Sequence, residues 1–110
     1  MPLKLVRTFG SPRQFSAKAG SRPTVAVRGR KGPVVLRQVT LRGQPVAPQN
    51  PRSVTLDVAP GINTLRLLLD PFDSTDIIDI VEEAGDDSQI LDCHRFDPSD
   101  PVSGYRILGS

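Results

Sequence analysis

The sequence predicts an all-β fold: an antiparallel β-sandwich, jelly-roll-like, with about eight strands. Three observations predict it. Short apolar runs alternate with a period of two, which is how a strand buries one face. Eleven Pro and nine Gly punctuate those runs along the whole chain instead of pooling in one linker. Helical spacing is confined to one segment, so the punctuation favours packed sheets over alternating helices and strands. The 110 residues suit one domain, 1–110, and 32 of them are Val, Leu, Ile or Phe, enough to build a core.

Taken in order, Leu3, Leu5 and Phe9 share one parity and open the pattern. Val25 and Val27 form the next run, ending at "RGRKGP", Arg28 to Pro33, a connection with two Gly and three charges. Val35, Val39 and Leu41 follow on one parity. "GQPVAPQNP", Gly43 to Pro51, is too rich in Pro for a central strand and reads as an extended loop. Val54, Leu56 and Val58 make another half-buried run, and Pro60-Gly61 is the sharpest turn signal, joining two strands as a hairpin. Leu65, Leu67 and Leu69 then face one way and Leu68 the other, which marks a central strand. In "STDIIDIVEEAG", Ser74 to Gly85, apolar residues fall on one face at about 100° per residue, the spacing of a helix. Four β-branched residues in five positions oppose that helix, and "AGDDS" makes a natural hairpin turn into Ser88 to Phe96. A strand is the favoured reading here, with a short helix near 75–84 as the alternative.

Composition removes several classes of function. One Cys excludes an intrachain disulfide framework and a multi-thiolate metal site, and no cofactor is implied. "MPLKLVRTFG" lacks the apolar run of a signal peptide, and Arg66 interrupts the most apolar stretch, so no membrane insertion is expected. The expected location is the cytoplasm, or a particle assembled there. Four Phe, one Tyr and no Trp leave few rings for stacking sugars or single-stranded nucleic acid. "GRKGP" lacks the order of a phosphate-binding loop, and no Ser sits in a G-x-S-x-G turn.

Charge carries the strongest signal. Residues 1–56 hold eleven cations and no acid; residues 57–110 hold all twelve acids and three arginines. Interleaved strands would make the two signs cross-strand neighbours, which helps fix register. Opposed faces would instead join one copy to the next, head to tail. A polyanion partner is the third explanation, and nucleic acid is disfavoured because no binding motif accompanies the basic residues. Arg28, Arg30, Lys31, Arg37 and Arg42 are the candidate basic contacts, and Asp73, Asp76, Asp79, Asp86 and Asp87 the candidate acidic ones.

"DCHRFDPSDPVSGYRI", Asp92 to Ile107, gathers the only Cys, His and Tyr. Cys93 and His94 are adjacent, so on a strand their side chains diverge and cannot form a thiolate–imidazole pair. Cys93 is expected to be small and buried on the face of Leu91, and His94 to share parity with Ile90 and Phe96. Asp70, Asp73, Asp76 and Asp79 recur every third residue, but turn and cap roles outweigh calcium because the EF-hand order is missing. Asp97 and Asp100 join the acids of the loop tips. The expected function is non-catalytic: a structural or protein-interaction module that assembles with itself or a larger particle through segregated charge. A carbohydrate-binding module is the first rival, with Tyr105, Phe72 and Phe96 as its stacking rings; a nucleic-acid binder using Arg28, Arg30 and Lys31 is the second.

Overall fold

The computed structural model describes residues 3–7 and 13–110, with the backbone alone for 4–7. Among the described residues ten strands form two sheets and no helix occurs. The six-stranded sheet runs β1 (Lys4–Arg7), β2 (Arg13–Ala17), β10 (Val102–Gly109), β7 (Gly61–Pro71), β4 (Val34–Leu41), β5 (Gln44–Val46). The four-stranded sheet runs β6 (Ser53–Thr55), β3 (Thr24–Gly29), β8 (Ile77–Ala84), β9 (Asp87–Arg95). The expected sandwich is what the chain builds. Short edge strands β5 and β6 take the described count past the expected eight. Seven pairings are antiparallel, and one is parallel, β2 with β10.

The inner faces follow from alternation. Val25 and Val27, Leu65, Leu67 and Leu69, and Ile78 and Ile80 are buried between the sheets with Phe15, Tyr105 and Ile107. β7 is a central strand, as its leucines require, with Leu68 half-buried on the outer side. The segment Ile77–Ala84 is strand β8, so the helical alternative fails. Its helical spacing is an accident of burial on two faces: Ile78 and Ile80 point into the core, while Val81 is buried opposite Ala26 and outside the main cluster.

Four local readings need correction. Pro60-Gly61 does turn, with Gly61 at φ 90°, but it leads from the four-stranded to the six-stranded sheet and closes no hairpin. Within Gly43 to Pro51 lies β5, paired to β4 through a two-residue turn, Arg42-Gly43, at φ 53° and 77°. Both positive angles mark a type I′ turn, and Arg42 tolerates its angle with its guanidinium tied to Asn63 Oδ1 at 2.5 Å and the Asp57 carbonyl at 2.8 Å. Register shifts also change parity, in β1 between Leu5 and Arg7, in β4 between Leu36 and Gln38, and in β9 at Leu91; the last two alter the reading of side chains. The β4 bulge turns Val35 away from Val39 and Leu41. The β9 bulge turns Asp92 inward beside Leu91 and leaves Cys93 exposed, not buried as expected. Leu3 is buried; the side chains of Leu5 and Phe9 lie outside the described residues.

The chain changes sheet repeatedly, and this interleaves its two halves. Basic β3 lies against acidic β8, and basic β4 against β7. Ion pairs follow from that topology: Arg28–Glu83 at 3.4 Å, Arg30–Asp79 at 3.1 Å, Arg37–Asp70 at 2.8 Å, Arg22–Asp57 at 2.7 Å and Arg13–Asp92 at 3.0 Å. Each joins a cation of the first half to an acid of the second.

Candidate functional site

The five candidate basic contacts do not form one patch. Arg28 and Arg30 lie with the four-stranded sheet, Arg37 with the six-stranded sheet, and Arg42 in the β4–β5 turn. Lys31 donates to Thr75 Oγ1 at 2.9 Å. With the ion pairs above and the Arg42 contacts, all five side chains have partners inside the chain.

The candidate acids also separate. Asp73 turns the β7–β8 loop, accepting from Thr75 N at 2.8 Å and Thr75 Oγ1 at 2.6 Å, which holds its carboxyl below the ordinary value. Asp76 is fully buried and accepts from the backbone amides of Arg30, Lys31, Gly32 and Ile77, so it folds the β3–β4 loop around itself. Asp79 bonds Arg30, which lowers its carboxyl. Asp70 is held by Arg37. The every-third-residue acids therefore diverge, and among the described residues no group of three potential ligands converges on a metal. Asp86 and Asp87 sit exposed in and beside the β8–β9 turn, with no ion pair among the described residues.

The sugar-stacking rings are not a platform. Tyr105 and Phe96 are buried in the core, and only Phe72 is exposed, at 84%. One exposed ring does not make a stacking surface.

A polar cluster that residue adjacency concealed lies in the seam between the sheets. The bulge at Leu91 turns Asp92 and His94 toward β10 and β2. Tyr105 donates its hydroxyl to Asp92 Oδ2 at 2.7 Å, and burial, then the Asp92 charge, push that hydroxyl well above its ordinary pKa. Arg13 reaches Asp92 Oδ1 at 3.0 Å and donates to the Leu91 carbonyl at 2.7 Å. Burial opposes charge on Asp92, but His94, Tyr105 and Arg13 outweigh it and lower its carboxyl. Ser103 Oγ stands 3.1 Å from His94 Nε2, and His94 Nδ1 stands 3.6 Å from Asp92 Oδ2.

Ser103, His94 and Asp92 thus follow the order of a hydrolytic triad. The second link is longer than a hydrogen bond, and His94 Nδ1 is buried without a hydrogen-bond partner. Ser103 is 9% exposed, the second residue of β10, with Leu67 opposite in register. The cluster joins β9 to β2 and β10, but its serine offers a substrate little access. The signal for it in the sequence is Asp-x-His, Asp92 and His94 on one face of a strand.

The outer face of the six-stranded sheet went unremarked in the sequence, because its residues come from four separated strands. Arg66 of β7 and Arg106 of β10 stand exposed on neighbouring strands, with no ion-pair partner among the described residues. Gly104 lies opposite Arg66 and leaves open space above the backbone. A shallow groove of about 250 Å³ runs between Gln38, Thr40, Arg66, Leu68 and Val102. The described strand residues of this face include one acid, Asp70, already paired with Arg37.

Comparison of the chain with protein-family models, with curated proteins and with solved structures finds no match. Among the described residues, no helix is long and apolar enough to cross a membrane.

Proposed function

We propose that this chain is a non-catalytic protein-interaction module, and that its contact surface is the outer face of the six-stranded sheet. One observation carries the reading: Arg66 and Arg106 lie together on a flat sheet face with no carboxylate partner among the described residues. Elsewhere five arginines of the first half are engaged by acids of the second, so folding neutralises part of the charge divided along the sequence. What remains on this face selects an acidic protein surface, with Leu68 and Val102 supplying a small apolar contact.

The sheet edges support docking by a face. β5 and β6 are three residues long, and β5 contains Pro45. On β9 the Leu91 carbonyl is taken by Arg13 and the Cys93 amide by Asp92 Oδ1 at 2.8 Å, which blunts that edge. Slight access to Ser103 supports a non-catalytic role. The scarcity of exposed rings counts against carbohydrate, and Arg28, Arg30 and Lys31, each engaged within the chain, make a poor nucleic-acid site.

Binding of a fluorescent oligoglutamate peptide, read by polarisation, tests this. Affinity falls at least about tenfold in Arg66→Glu/Arg106→Glu, as loss of charge complementarity demands, and falls with added salt. Unchanged affinity in the double variant, or no binding by the wild type, contradicts the reading.

A further inference from the structure

The β8–β9 hairpin extends beyond its neighbour β3 by one residue pair and a two-residue turn. Pairing of β3 with β8 ends at Thr24–Glu83, yet β8 and β9 stay paired to Ala84–Asp87. Every residue from Glu83 to Ile90 is exposed, although Glu82 and Leu91 on either side are buried. Gly85 takes φ 62° at the first position of the two-residue turn, as a II′ hairpin requires, so the tip is a tight, defined structure. That tip carries Asp86 and Asp87, neither in an ion pair among the described residues, and Ile90 stands behind them at 62% exposure.

We propose that this acidic arm docks on the Arg66–Arg106 face of a second copy of the chain. The proposal rests on the interaction-module reading and names the partner. Charge complementarity selects the second copy. Two carboxylates project on an arm, and two arginines lie on adjacent strands of a face whose one described acid is already paired. Beside the groove, Gly104 has open space above it and lets the tip approach the backbone. The arm belongs to one sheet and the receiving face is the outer side of the other, so the contact runs head to tail from copy to copy. Such contacts close into rings or continue as filaments. The contact is small and rich in charge, so it forms at high concentration and low salt.

Sedimentation equilibrium with charge-reversed variants tests it. Wild-type chain at low ionic strength rises above the monomer mass of 11.9 kDa as concentration approaches about 1 mM, and returns to monomer at about 0.5 M salt. Arg66→Glu/Arg106→Glu gives an acidic face beside an acidic arm; Asp86→Lys/Asp87→Lys gives a basic arm beside a basic face. Each is monomeric alone, and a one-to-one mixture associates, because each arm now fits the other variant's face. The two variants alter different exposed elements, so misfolding of one leaves the other as a test. A wild type that stays monomeric throughout overturns the proposal, as do variants that associate alone as strongly as wild type. A monomer that still binds oligoglutamate through Arg66 and Arg106 overturns self-docking while leaving the interaction module standing.

Discussion

Asp92 draws three side chains to one point: Tyr105, Arg13 and His94. Its folded carboxyl is held below the ordinary value of 3.8, so its charge contributes stability that is complete above that value. The contribution drains away as pH falls below 3.8 toward the lower folded value. Thermal unfolding followed from pH 6 down to about pH 2 therefore shows an acid-side loss that Asp92→Asn flattens, the variant being less stable at pH 6. An unchanged slope would mean that the cluster adds nothing to the fold. Cys93 reports on the outer side of the same strand. The neighbouring Asp79 carboxylate, with slight burial, raises the thiol's pKa against the pull of Arg30, 3.2 Å from the sulfur. Exposed as it is, Cys93 should react slowly with iodoacetamide near neutral pH, and Asp79→Asn should speed the reaction several-fold. Equal rates in the two proteins contradict that account. The sequence marked Cys93 as a buried group because strict alternation was carried through a residue that the bulge at Leu91 displaces.

Elements were legible where period and punctuation agreed. β7 announced itself through Leu65, Leu67, Leu68 and Leu69, and the β8–β9 turn through its Gly and Asp pair. Parity failed at Val35 and at Cys93 because a bulge leaves no mark in composition. β5 was hidden since Pro45 is tolerated on an edge strand of three residues. The β3–β4 loop was read correctly as a connection, but what holds it was not visible: Asp76, forty-four residues on, accepts the Gly32 amide. Gly29 makes that closure possible. A Cβ there would collide with the Gly32 carbonyl and stand 2.5 Å from Asp76 Oδ2. Gly29→Ala should cost about 2 kcal/mol or more in urea unfolding, at the upper range of overpacked sites. A loss under about 0.5 kcal/mol would show that the loop is held elsewhere.

At the scale of the whole molecule, the topology brings together charges that the sequence keeps apart. A chain that switches sheets sets its first half beside its second, and opposite signs then become neighbours. Exposed pairs of this kind are each worth about 0–1 kcal/mol, so their main effect is on register, with little on total stability. The same interleaving gathers the outer face of the six-stranded sheet from β2, β10, β7 and β4. Only the fold brings Arg66 and Arg106 together, forty residues apart in sequence, so the candidate surface was illegible beforehand. An amide chemical-shift map of the ¹⁵N-labelled chain during oligoglutamate titration measures this most directly. Shifts concentrated at Gln38, Thr40, Thr64, Arg66 and Val102 to Arg106 are the predicted result, and shifts concentrated at Arg28 to Gly32 on the opposite sheet would contradict it.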